Sequence, residues 1–199
     1  MSELISQLIN QGQALNFWEV IAVISALIYI YFAAKGNRWC FLFGLISSAI
    51  YIYLSATLKF YFDTLINSYY VIMSFYGWVV WSNGEQNESL KVLSLNKKSF
   101  TTYISIGFAI TFLSGFAANQ YSDASLPYLD AFTTVFSIIA TWMVVQKQLQ
   151  NWLIWIVVDA IASGMYFYKE LYLTSLLFII YTIIAIRGYF KWKTLLQYD

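Results

Sequence analysis

The stretch QNWLIWIVVDAIASGMYFY, Gln150 to Tyr168, is long enough to cross a bilayer and carries a carboxylate, Asp159, near its middle. An Asp at the centre of a spanning helix costs roughly 2.5–3.5 kcal/mol on insertion scales. Such a residue faces a bundle interior or a water-filled cavity. Helical steps of three and four bring Trp152, Trp155, Asp159, Ser163 and Tyr166 to one face. Two indoles, a carboxylate, a hydroxyl and a phenol on one side predict the wall of a polar, aromatic-lined pocket at mid-membrane.

Composition sets the class around that stretch. The 199 residues are 60% hydrophobic and 11% charged, where soluble domains carry about 25% charge. The chain reads as an all-α integral membrane protein. Its single cysteine, Cys40, excludes an internal disulfide framework. The absence of histidine removes the usual zinc and iron sites and the His-based triads. No cofactor or metal is implied, and a net charge of +1 argues against a nucleic-acid partner. Residues 1–16 are mostly polar, with no basic n-region or small-residue cleavage site, so no removable signal peptide is expected.

Spans of about 20 apolar residues predict seven transmembrane helices. They lie near Phe17–Ala34, Trp39–Thr57, Phe60–Trp81, Phe100–Asn119, Tyr128–Gln146, Trp152–Tyr168 and Leu171–Phe190. The long polar loop Ser82–Ser99 separates the third from the fourth. With seven spans, one side of the membrane receives Lys35, Arg38, Lys91, Lys97, Lys98, Lys147, Arg187, Lys191 and Lys193. The other receives only Lys59 and Lys169. The positive-inside rule then puts the N-terminus outside and the C-terminus in the cytoplasm.

The first three spans and the last three read as copies of one unit. Gly77-Trp78-x-x-Trp81 ends the third span and Gly188-Tyr189-x-x-Trp192 the seventh, 111 residues apart in both glycine and final tryptophan. Tyr61 and Tyr172, Tyr70 and Tyr181, and Glu19 and Asp130 repeat at the same offset. Trp39 and Trp152 are 113 apart, which asks for a small change in loop length. Two three-helix units keep one orientation only if an extra span stands between them. The expected plan is therefore 3+1+3: residues 17–81, a loop and linker helix over 82–127, and residues 128–192. Parallel repeats of this kind are a transporter architecture with the site between the halves.

The rest of the pocket follows from the repeat. An offset of 112 makes Ser47 the counterpart of Asp159, flanked by Phe43 and Tyr51. Asp63, Asn67, Tyr70, Ser74 and Gly77 form one polar stripe on the third span. The candidate substrate-binding set is Asp159, Trp155, Trp152, Ser163, Tyr166, Ser47, Tyr51, Phe43, Asn67, Tyr70 and Ser74. Ser47, Ser74 and Asn67 read equally well as residues that hydrogen-bond across helix interfaces. Trp18, Trp39, Trp81 and Trp192 sit at span ends and are expected as interfacial anchors. Glu19 and Asp130, at matching positions near the start of each unit, read as gate residues or as outer-surface charges, the structural role being favoured. A deep carboxylate with indole and phenol faces suits a flat heteroaromatic ligand, preferably cationic. A proton relay is the competing use of Asp159.

These runs resemble the PnuC family of bacterial vitamin transporters, relatives of the SWEET sugar facilitators. The resemblance is carried by Asn151-Trp152-Leu153-Ile154-Trp155 and the span after it, by Phe43-Gly44-Leu45-Ile46, and by Tyr76-Gly77-Trp78-x-x-Trp81. It covers Trp18 to Trp192. It implies facilitated uptake of a water-soluble B vitamin or precursor across the bacterial inner membrane, nicotinamide riboside being the usual substrate. It also implies trapping by a cytoplasmic vitamin kinase. Riboside-transporting members carry Asn where Ser47, Ser74 and Asp159 stand here, which brings thiamine, another flat cationic vitamin, into consideration. The expected partners are that small molecule, the lipid bilayer and, functionally, the kinase; a homo-oligomer is compatible with the sequence.

Other classes fit less well. A retinal photoreceptor needs a lysine deep in its last span, and Lys191 lies at the end. An intramembrane enzyme would have to use aspartate pairs, and no protease motif surrounds Asp63, Asp130 or Asp159. A proton-coupled carrier using Asp159 and a non-transporting membrane scaffold are the alternatives. The orientation is testable: a single cysteine placed between Ser82 and Ser99 should react with an impermeant thiol reagent only from the cytoplasmic side. Labelling from outside reverses the topology.

Overall fold

The structure, a computed structural model, describes residues 2–14, 17–57, 61–82, 91–122 and 125–196. Lys59, Phe60, the side chain of Tyr61 and most of the loop after Ser82 lie outside the described residues. Among the described residues eight helices follow one another: α1 Ser2–Ala14, α2 Phe17–Ala34, α3 Cys40–Thr57, α4 Tyr61–Ser82, α5 Lys97–Tyr121, α6 Pro127–Val145, α7 Asn151–Tyr168 and α8 Tyr172–Lys193. Helices α2 to α8 fall on the seven expected stretches, with ends shifted by three residues at most. Helix α1 is additional. Its polar composition hid an apolar edge, Ile5, Leu8 and Ile9, at helical spacing.

Helices α2, α3, α5, α6 and α8 are long and apolar enough to cross a membrane by length and composition. Helices α4 and α7 have 22 and 18 residues, which at 1.5 Å per residue gives about 33 and 27 Å, near the hydrocarbon thickness. Their mean hydropathy is lowered by the polar and aromatic residues that make them interesting. Helix α1, with 13 residues, is too short to span. The Gln11 side chain ties it down, donating to the Glu170 carbonyl at 2.7 Å and accepting from the Leu173 amide at 3.0 Å.

The helices α2, α3, α4, α6, α7 and α8 close a ring, each packing on the next and α8 returning to α2. Helix α5 stands outside this ring against α6. Its Gly107, Thr111 and Gly115 form a buried edge of small residues. A Cβ at Gly107 would sit 2.8 Å from Phe136, and one at Gly115 2.6 Å from Tyr128. Close backbone approach of this kind is how helices associate in lipid, where apolar burial gives little preference for a protein neighbour. The outer side of α5, with Phe112, Leu113 and Phe116, is exposed, as a lipid-facing surface should be.

Residues 111 apart make the same contacts in the two halves. The Phe41 ring lies on Gly77, and the Trp152 ring lies on Gly188 with 2.9 Å left for a Cβ. Phe41 meets Trp81 edge-on at 4.9 Å, and Trp152 meets Trp192 edge-on at 5.4 Å. The Trp81 indole donates to the Val145 carbonyl at the end of α6, and the Trp192 indole to the Ala33 carbonyl at the end of α2, each at 3.0 Å. Trp81 and Trp192 touch each other at 5.9 Å.

These contacts correct two expectations. The counterpart of Trp152 is Phe41 rather than Trp39, and the same register pairs Asp159 with Ser48 rather than Ser47. Trp81 and Trp192 are not interfacial anchors, being 7% and 0% exposed in the core. Trp18 and Trp39 are exposed, as anchors would be. The indole N–H explains the difference, because a nearby helix-end carbonyl satisfies it without the interface.

The end of the molecule that carries Lys35, Arg38 and Lys147 is knitted together. Segment 91–96 inserts beside the α6–α7 turn, with Leu93 N donating to Lys147 O and Leu149 N to Leu93 O, both at 2.9 Å. The Gln150 side chain holds Ser94 and Leu95. Lys147 turns the chain at a φ of 57°. Partial burial, and then the charge of Lys91, hold its ammonium below the ordinary lysine value.

The two ring-on-glycine contacts predict matched sensitivities. Gly77→Ala and Gly188→Ala should each destabilise by about 1–3 kcal/mol, as overpacking does. Gly164→Ala, with open space around its Cβ, should leave the melting temperature in detergent unchanged. Equal melting temperatures for all three variants would mean the rings shift aside freely.

Candidate functional site

The turn Gln148–Gln150 sets where α7 begins, and therefore which of its residues face inward. Asn151 is fully buried and donates to the Gln148 carbonyl at 2.6 Å. One residue on, Trp152 is pinned between Gly188 and Trp192. With that indole seated, the helical period turns Trp155 and Asp159 into the ring of helices.

There they meet a cavity of about 110 Å³. Its walls are Ala26, Tyr29, Ile30 and Ala33 of α2, Val144 of α6, Trp152, Trp155 and Asp159 of α7, and Tyr181 of α8. Asp159 is the sole charged lining residue and is 1% exposed. Its Oδ2 has no hydrogen-bond partner, and neither does Trp152 Nε1. One wall thus offers an unmet acceptor, the carboxylate oxygen, and an unmet donor, the indole N–H. Buried polar atoms are rarely left so, and each such group costs about 1–3 kcal/mol. A ligand presenting a cationic or N–H group to one and an acceptor to the other would satisfy both. Ligand sites commonly enclose about 300–1,000 Å³, so a vitamin-sized guest requires the surrounding rings to move apart.

The expected site residues divide into three groups. Trp152, Trp155 and Asp159 line the cavity together. Tyr70 lies within electrostatic reach of Asp159 and is hydrogen-bonded to Ser137. Tyr181 is within electrostatic reach of both Asp159 and Tyr51, and Tyr51 itself does not line the cavity. Ser47 and Ser74 are buried, and the Ser74 hydroxyl lies 3.2 Å from a Cβ built on Gly44, on the α3–α4 contact.

The remaining four are engaged elsewhere. The Ser163 hydroxyl pairs with the Ser175 hydroxyl and reaches its carbonyl, both at 3.1 Å, joining α7 to α8. Phe43 stacks on Phe32 at 5.7 Å, and Asn67 donates back to the Asp63 carbonyl at 2.8 Å. Tyr166 stacks on Phe178 at 5.3 Å and lies near Asp63 and Asp130. Asp130 itself pairs with Lys169 at 3.3 Å.

The contribution of α2 was not anticipated. Its signal was present, since Ala22, Ala26, Tyr29 and Ala33 fall at steps of four, three and four. A run of small residues on an apolar helix names a packed face without naming its neighbour. Tyr181 was visible only as the repeat partner of Tyr70.

The unmet carboxylate carries a stability prediction. Asp159→Asn should raise the thermal stability of the ligand-free protein in detergent by about 1 kcal/mol, since a neutral amide is less costly to bury. A fall in melting temperature would show that Asp159 is held by interactions of its own.

Comparison with known proteins places the chain in a family. The family described as nicotinamide mononucleotide transporter matches residues 16–194. The nicotinamide riboside transporter PnuC of Neisseria mucosa is 27% identical over 190 residues, covering 89% of this chain and 72% of that protein. PnuC of Escherichia coli K12 is 25% identical over 207 residues, covering 91% and 87%. A crystal structure of the vitamin B3 transporter PnuC superposes with a TM-score of 0.73 at 25% identity, covering 96% of this chain and 89% of that one. These relatives are transporters and not enzymes, and what this chain shares with them is the fold of a multi-pass helical membrane protein. The chain belongs to the nicotinamide mononucleotide transporter family, that of the PnuC membrane transporters.

Proposed function

We propose that this transporter is a facilitator for a flat, cationic, water-soluble vitamin or precursor, nicotinamide riboside or thiamine. The observation that carries the reading is the unmet Asp159 carboxylate among the faces of Tyr29, Trp155 and Tyr181. A buried charge is tolerated when it is paired, and a ring cation entering this cavity pairs it. Aromatic faces add attraction for the same cation. The printed names of the relatives, nicotinamide riboside transporters, favour the riboside. The carboxylate at position 159, where riboside-transporting members are expected to carry an amide, favours thiamine at least as well.

The architecture that goes with this function is 3+1+3. Units 17–81 and 128–192 face each other across a pseudo-two-fold axis, with 82–127 as loop and linker helix. The doubled contacts at an offset of 111 support it. The N-terminus lies outside, the C-terminus and the lysine-rich end lie in the cytoplasm, and phosphorylation there by a vitamin kinase makes uptake one-way. The substrate set is Asp159, Trp155 and Trp152, with Tyr29 and Tyr181 added. Tyr51, Tyr70, Ser47 and Ser74 form the adjoining wall. Ser163, Tyr166, Phe43 and Asn67 support the helices around it. The proximity of Tyr70 and Tyr181 to Asp159 favours one second reading, proton-coupled carriage through the carboxylate.

Titration calorimetry with nicotinamide riboside, thiamine and riboflavin side by side tests the substrate. Asp159→Asn should weaken binding strongly, and Trp155→Ala by about 1–2 kcal/mol, the cation–π magnitude. Affinities unchanged in both variants would remove the cavity from the binding site. Uptake into vesicles should be insensitive to a proton ionophore for a facilitator; abolition by the ionophore would select the coupled carrier.

A further inference from the structure

Among the described residues, five buried side-chain polar atoms have no hydrogen-bond partner, and four of them fall in one short stretch. They are Gln148 Oε1, Asn151 Oδ1, Trp152 Nε1 and Asp159 Oδ2. Steps of three and four put Trp152, Trp155 and Asp159 on one edge of α7, and Gln148 lies in the turn that leads into it. The edge runs from the cavity toward the lysine-rich end of the molecule. A permanently dry interface would not be expected to concentrate its unmet groups in one short stretch.

Across that stretch stands a continuous chain of rings. Phe41 meets Trp81, Trp81 meets Trp192, and Trp192 meets Trp152, at centroid distances of 4.9, 5.9 and 5.4 Å. All four rings are buried. The chain crosses between the two halves through the Trp81–Trp192 contact, and Trp152 is at once its last member and a wall of the cavity. It is fastened to the opposite half by two hydrogen bonds, Trp81 to Val145 O and Trp192 to Ala33 O. Single indole bonds to carbonyls at helix ends can be exchanged for water without unravelling a helix.

We propose that this ring chain is the barrier between the cavity and the lysine-rich end, and that substrate passes it along the Gln148–Asp159 stretch. The inference rests on the transport reading above and assigns its inner leg. The unmet oxygens of Gln148 and Asn151 form a second polar subsite, taking N–H or cationic groups after they leave Asp159. Opening requires Trp152 to leave its seat on Gly188 and the two indole bonds to break.

The chain's single cysteine is a native reporter for this movement. Cys40 is fully buried beside Phe41 and stands at the position equivalent to Asn151 in the other half. In vesicles with the lysine-rich end facing the medium, an impermeant maleimide should modify Cys40 slowly in the native protein. The double variant Trp81→Phe, Trp192→Phe keeps the rings and removes both indole donors. It should be modified about fivefold faster or more, the scale expected for losing such bonds. Trp18→Phe, remote from the barrier, should not change the rate.

An unchanged rate in a double variant that remains monodisperse would overturn the proposal. Asn151→Cys in a Cys40→Ala chain gives a second reading with the barrier intact, since it too should react from the lysine-rich side. Complete inertness of that cysteine, in a protein that still transports, would also overturn it. Labelling needs no vitamin. Accelerated labelling without binding of any of the three vitamins would therefore strike the substrate reading and leave the barrier standing.

Discussion

The packing of an aromatic ring onto a glycine, made once by Phe41 on Gly77 and again by Trp152 on Gly188, is the contact on which the rest of the bundle depends. In lipid the hydrophobic effect does not distinguish a helix neighbour from an acyl chain. Association has to come from shape, close approach and internally satisfied polar groups. A ring lying flat on a residue without Cβ supplies the first two. The indole of the following tryptophan, donating to a helix-end carbonyl of the other half, supplies the third. Each contact fixes one helix pair, α3 with α4 and α7 with α8, and the indole bonds then fix the two pairs to α6 and α2.

That rigid frame makes room for a residue that weakens the fold. Asp159 lies on α7 seven residues beyond the seated Trp152, so the indole determines where the carboxylate points. Its environment is largely apolar and leaves one oxygen unmet. Proteins break local rules at functional sites and compensate elsewhere. Here the compensation is the well-packed half of α7, where Trp152, Ile154 and Val158 are buried against α6 and α8. A carboxylate without such support would draw water into the bundle or turn toward the interface.

The tryptophans illustrate how one residue type takes opposite roles within a few residues of chain. Trp39 and Trp18 keep exposed rings at helix ends, while Trp81 and Trp192, also at helix ends, are core. Trp18 and Trp39 stand where a helix begins and Trp81 and Trp192 near where one ends, and each of the latter two donates to a carbonyl of another helix. The same logic separates the serines: Ser163 finds Ser175 across a helix contact and is consumed by it, whereas Ser47 and Ser74 stay buried beside the α3–α4 seam.

The sequence by itself determined the class and where the helices α2 to α8 fall. These depend on length, hydropathy and local period, which act along the chain and can be read from it. It also named Trp152, Trp155 and Asp159 as one face, because a helix has a single period. Tertiary structure alone decided that Phe41 and Trp152 each seat on a glycine and meet a tryptophan in the same way. It also decided that α2 completes the cavity through Tyr29 and its alanines, and that α1 is pinned to α8 by Gln11. Those outcomes turn on which helix faces which and on whether a donor meets a carbonyl from a distant part of the chain. Neither distance nor neighbour identity is encoded in any local pattern.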